Sequence, residues 1–139
     1  MYDRDFARWA EENAGLLRAG RTQDADLRHI AEEIEDMGKE RQHALKSHLR
    51  VLLSHLLKHQ FQPSRRSTSW LRTIANARAE IEDLLEENPS LVPLVGPLAI
   101  AAYPRSAKLA AIETKLPLSR FPARCPYTAK QIRDDAYLP

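Results

Sequence analysis

Apolar residues recur along this chain at the spacing of an α-helix and nowhere keep the two-residue alternation of a strand, so the pattern predicts an all-α protein. In a first helix, predicted from Asp3 to Ala19, Phe6, Trp9, Ala10, Leu16 and Leu17 fall at helical spacing, and Gly20 stands where a C-terminal cap is expected. A second helix begins after Thr22 to Asp24, either of which can cap it, and runs to about His59. At about 100° per residue, Leu27, Ile34, Leu45, Leu49, Leu52 and Leu56 form one stripe along it. Gly38 sits inside that stripe and predicts a close helix crossing or a slight bend.

All nine prolines lie at or after Pro63, so the chain changes from long uninterrupted helices to punctuated ones there. Trp70, Ile74, Ala77, Ile81 and Leu84 define a third helix ending at Asn88, because Pro89 disfavours helical geometry in its predecessor. Ser90 is placed to cap a fourth helix, Leu91 to Thr114, which tolerates Pro93 in its first turn and is expected to bend or split near Pro97 and Pro104. Leu116 to Pro126 reads as an extended connector, and Thr128 with Gln131 has the capping-box spacing for a short last helix to about Ala136. The architecture predicted is an antiparallel up-and-down four-helix bundle with a bent fourth helix and a proline-rich C-terminal strap ending in a short helix. It forms one domain over 1–139, with the bundle in 1–115 and the strap in 116–139.

Composition adds bounds. With 139 residues, 43% hydrophobic and 29% charged, the chain suits one soluble domain with one core. A single cysteine, Cys125, excludes an internal disulfide and fits a reducing compartment, and the amino-terminal MYDRDFARWAEENAG does not resemble a signal peptide, so a cytoplasmic location is expected. The weakly polar stretch from Leu91 to Tyr103 falls well short of the roughly 20 residues that span a bilayer, so no membrane segment is expected.

The net charge of +2 is small, but its distribution is not even. From Lys39 to Arg78 there are nine basic residues against Glu40 alone. In a hairpin of helices two and three, Asp24, Asp26, Glu32, Glu33, Glu35 and Asp36 fall at the same end as Glu80, Glu82, Asp83, Glu86 and Glu87, leaving the other end basic. Helix three therefore opposes its own dipole, with Arg65, Arg66 and Arg72 around its amino end. The compensating acids are either internal, Asp3 and Asp5 or Asp134 and Asp135, or belong to a partner: an acidic protein surface or nucleic-acid phosphates, helped by Trp70 or Phe61.

Catalytic signatures are sparse. His48, His55 and His59 line one edge of the helix-two stripe, and the i, i+4 pair His55 and His59 has chelating spacing but lacks the glutamate of HExxH. Glu40 and His43 match one Glu-x-x-His element of a di-iron bundle, which needs two such elements and finds one, off the apolar stripe. Cys125 has no local nucleophile signature, the four glycines form no phosphate loop, and neither Glu113 nor Asp134 is singled out as an acid or base. No cofactor, metal or enzyme class follows.

The order of Asp5-Phe6 with Trp9, Leu17-Arg18, Asp26-Leu27, Glu32-Glu33-Ile34-Glu35 with Gly38, and His55-Leu56-Leu57-Lys58 with Gln60 is continued by Ser69-Trp70, Thr73-Ile74, Arg78, Asn88-Pro89-Ser90-Leu91, Glu113-Thr114, Leu116-Pro117, Phe121-Pro122, Cys125-Pro126 and Leu138-Pro139. Over essentially its whole length the chain thereby resembles the bacterial family catalogued as domain of unknown function 29, common in cyanobacteria. The resemblance implies a cytoplasmic helical domain and transfers no catalytic residue. His59 stands where an aromatic is common in that family, and Lys108 where an arginine is common. His55, Lys58, Gln60, Trp70 and Arg78 fall within the matching motifs at the basic end. With Arg65, Arg66 and Arg72 they make the expected binding set of a non-enzymatic interaction module that docks on an acidic protein. The alternatives are a nucleic-acid-associated protein and a metal-dependent enzyme using His55 and His59; the bipolar charge also permits self-association.

Overall fold

A computed structural model describes residues 1–139 and contains five α-helices and no strand. The helices are α1 (Phe6–Arg18), α2 (Leu27–Phe61), α3 (Thr68–Glu87), α4 (Val95–Thr114) and α5 (Ala129–Arg133). The all-α reading holds. By contacts the chain divides into two compact units, Met1–Glu40 and Arg41–Pro139, with α2 supplying residues to both.

In the first unit, Asp5 caps α1 by accepting from the Arg8 N–H at 3.0 Å. Gly20 (φ +74°) ends the helix in the left-handed region, as its position predicts. Thr22–Asp24 form a 3-10 turn, and the cap of α2 is Asp26, whose carbonyl accepts from the Ile30 N–H at 3.0 Å. Two predicted features differ. Leu27 and Ile34 belong to the α2 stripe by periodicity but are exposed, and nothing lies within 4 Å of a side chain added at Gly38, so that glycine marks no close crossing.

The second unit holds the core. Leu45, Leu49, Leu52, Leu53, Leu56 and Leu57 of α2 are fully buried and meet Ile74, Ala77, Ile81 and Leu85 of α3. Each fully buried leucine is worth about 1.5–3 kcal/mol of transfer free energy, so this stripe anchors the unit. Most buried residues of α4 are small (Ala99, Ala102, Ser106, Ala107, Ala110), which lets its backbone come close to α2: the Ser106 hydroxyl is 3.0 Å from the Arg50 carbonyl.

Prolines divide the chain much as expected, with one shift. The fourth helix splits after Leu94 into a 3-10 segment, Pro89–Leu94, and α4. Pro97 thus lies in the first turn of α4, where its missing N–H costs nothing, and Pro104 is the one inside the helix; Ser90 makes no capping bond. Lys115 (φ 60°) closes α4 in the left-handed conformation usually given to glycine. The strap then returns over the core, burying Phe121, Tyr127 and Ile132, with a 3-10 turn at Leu118–Arg120. Thr128 and Gln131 form the predicted capping box, and α5 stops at Arg133.

Candidate functional site

The eight residues expected at the basic end are all placed in the second unit but do different things. Lys58 is buried on α2. Its Nζ sits 2.5 Å from the Glu113 carboxylate on α4 and 5.1 Å from the centroid of the Trp70 ring. Arg78, 2% exposed, donates from Nε to the Ile132 carbonyl (2.9 Å) and from a terminal nitrogen to the Gln131 carbonyl (3.1 Å). Those carbonyls belong to the last turn of α5, where Gln131 also accepts from the Asp134 N–H at 3.3 Å. Burial lowers the Arg78 pKa, opposed by the charges of Asp135 and Asp134. Arg66 donates to the His59 carbonyl (2.8 Å) and reaches the Pro139 carbonyl (3.4 Å). Gln60 accepts from the Tyr127 hydroxyl at 2.8 Å. Arg65 and Arg72 are exposed on the surface.

The histidine pair is likewise engaged. His55 turns Nδ1 to the Val51 carbonyl (2.9 Å), and burial lowers its pKa. His59 is buried with Nδ1 2.8 Å from the Pro139 carbonyl. No group of three or more His, Cys, Asp or Glu is arranged to hold a metal. Burial raises the Cys125 pKa, which keeps the thiol protonated, and its sulfur lies 3.6 Å from the Tyr127 carbonyl.

Two arrangements emerge that the sequence did not announce. A groove of about 330 Å³ runs between α2 and α4, lined by His43, Lys46, Ser47 and Arg50 on one side and Ala101, Ala102 and Arg105 on the other. The close α2–α4 approach at Ser106 brings these cations together, and no acidic residue lines the groove. His43, Lys46, Ser47 and Arg50 follow i, i+3, i+4, i+7 spacing, so one wall was readable; the Arg105 wall, more than 50 residues on, was not.

The other lies in the first unit. Asp26 accepts from Trp9 Nε1 (2.9 Å) and faces His29 Nδ1 (2.6 Å), while its own N–H donates to Asn13 Oδ1 (2.7 Å). Tyr2 stacks on His29 with ring centroids 3.9 Å apart and donates its hydroxyl to Glu33. That bond to Glu33, aided by burial and the surrounding carboxylates, pushes the Tyr2 pKa up to about 12. The His29 and Trp9 hydrogen bonds hold the Asp26 carboxyl below its ordinary pKa. A depressed carboxylate stabilises the fold above its unfolded pKa near 3.9, and the contribution is lost as pH falls through the folded value. With Trp70 replaced by Phe, Trp9 alone reports on this unit. Its emission is expected to change on acidification below about pH 4 in the parent, whereas Asp26→Asn shows the loosened spectrum at neutral pH.

A family model described as domain of unknown function DUF29 matches residues 1–138. The chain belongs to the DUF29 family. No curated protein and no solved structure matches it. No helix is long and apolar enough to cross a membrane.

Proposed function

We propose that this DUF29 chain is a non-enzymatic interaction module that binds an acidic protein surface through the basic face of its second unit. What carries the reading is the α2–α4 groove, where Lys46, Arg50, Arg105 and His43 converge with no carboxylate among the lining residues. Residues 41–139 contain 15 Lys and Arg against eight Asp and Glu, so the groove lies in a unit of positive charge that steers acidic partners toward it. Exposed Arg65 and Arg72 extend this charge. Lys58, Arg66 and Arg78 of the expected set act through the scaffold, since their donors face internal acceptors.

The groove is short, and exposed apolar residues follow its lining along both helices, Val51 next to Arg50 in sequence and Leu109 one turn beyond Arg105, a mixture that suits a helical peptide better than a phosphate chain. Fluorescence anisotropy tests this with a labelled amphipathic acidic helix and with single- and double-stranded DNA and RNA. Acidic-peptide binding that weakens at least tenfold in Lys46→Glu/Arg50→Glu is expected. Tighter binding to nucleic acid, falling with salt by nearly one power per phosphate contact, would replace the protein partner with a polyanion.

A further inference from the structure

The α2–α4 groove holds more positive charge than the fold itself uses. Lys46, Arg50 and Arg105 line it together with His43, and none of the four takes part in an ion pair of the structure. The sequence supplies no acid to either wall: α2 has none after Glu40, a turn before the groove, and α4 has none before Glu113. His43, Lys46 and Arg50 share one side of α2 within about 10 Å at 1.5 Å per residue, and Arg105 stands on the opposite wall. Like charges a turn apart on a helix repel, a cost that a bound anion removes.

The donors are also arranged. Arg50 gives a terminal N–H to the Ser47 hydroxyl at 3.2 Å, which occupies an oxygen lone pair and leaves the Ser47 hydrogen to donate to a ligand. Lysine and arginine carry no acceptor, so apart from one His43 nitrogen the polar side chains of the groove offer only donors. A ligand that fits must supply acceptors. An aspartate or glutamate does so with one charge and two coplanar oxygens, enough for one arginine fork. Permanent cations on two helices are met at once by a phosphate monoester, which brings three strong acceptor oxygens and a charge of about −1.5 to −2.

We infer that the groove is a phosphate-monoester site, and that the group it takes is a phosphorylated serine or threonine on the acidic partner. Arg50 and Arg105 clasp the phosphate from the two helices, Lys46 adds charge and Ser47 donates a further hydrogen bond. The cations of the groove are confined to about two turns of helix, which suits one doubly charged group better than a run of singly charged diesters. The inference rests on the proposed function, for which it names the anion.

Isothermal titration calorimetry of the full chain tests it with one acidic helical peptide made in two forms, carrying phosphoserine or glutamate at its centre. The phosphoserine form is expected to bind at least about tenfold more tightly than the glutamate form. Arg50→Gln/Arg105→Gln should abolish that preference, with circular dichroism confirming that the helices remain. Ser47→Ala, which alters no charge, should weaken the phosphoserine form alone, by a factor of about three. Equal affinity for the two forms, or a preference that survives the arginine changes, overturns the inference and leaves the acidic-partner reading standing; binding of neither form overturns both. Inorganic phosphate and a short RNA decide the source of the anion. Inorganic phosphate binding as tightly as the phosphoserine peptide, or RNA binding more tightly, overturns the assignment to a phosphorylated protein.

Discussion

Arg78→Ala is expected to release the carboxyl-terminal strap and lower the stability of the second unit by about 3 kcal/mol. The guanidinium is 2% exposed and donates to the Ile132 and Gln131 carbonyls, which end a helix only five residues long. So short a helix has no stability of its own; it persists because its last carbonyls find donors and Ile132 is buried. Hydrogen bonds from a charged donor contribute about 1.5–3 kcal/mol each, and truncation leaves both carbonyls without this donor. Tm should fall by roughly 10 °C, at a few degrees per kcal/mol for a chain of this size. Hydrogen exchange supplies the sharper check: amides of 127–137 should lose protection more than those of the Leu45–Leu57 stripe. Equal loss in both would mean that Arg78 supports the core as a whole.

The second large effect is an asymmetry. Lys58 and Glu113 form one ion pair, but the lysine side chain is 6% exposed and the glutamate side chain 48%. Glu113→Gln therefore leaves an ammonium in the interior with only the Trp70 ring and a weak neutral acceptor beside it, at about 2–3 kcal/mol. Lys58→Met keeps the packing of the aliphatic stem and leaves a glutamate that water can reach, at about 1 kcal/mol or less. The double variant should lie close to Lys58→Met, since the stranded charge is then gone. Urea titrations of the three proteins decide it, and equal losses for the two single changes would contradict the burial difference.

These contacts show where sequence reading stops. The stripe from Leu45 to Leu56, the cap at Gly20, the stop at Asn88 and the Thr128–Gln131 capping box are local, each set by residues within a turn or two, and each is found in place. Leu27 and Ile34 obey the same periodicity as Leu45 yet are exposed, because spacing says which side of a helix is apolar without saying what covers it. The pair Lys58–Glu113 spans 55 residues, and Arg78 reaches carbonyls 53 and 54 residues away. Their charges were visible in the sequence, but their partners depend on how α4 and the strap return to α2. For that reason a basic stretch that read as one surface is divided between interior ties, the half-buried Lys46 and Arg50 of the groove, and exposed Arg65 and Arg72.

The strap also has a place in time. A polypeptide leaves the ribosome amino end first, at about 5–20 residues per second, so α2, α3 and α4 are complete before Phe121, Tyr127 and Ile132 arrive to cover them. During those seconds the leucines of α2 lack part of their cover, and the nascent chain is open to chaperones and proteases. A nick between Lys115 and Phe121 in the finished protein would cut the covalent tie that keeps Phe121, Tyr127 and Ile132 over those leucines.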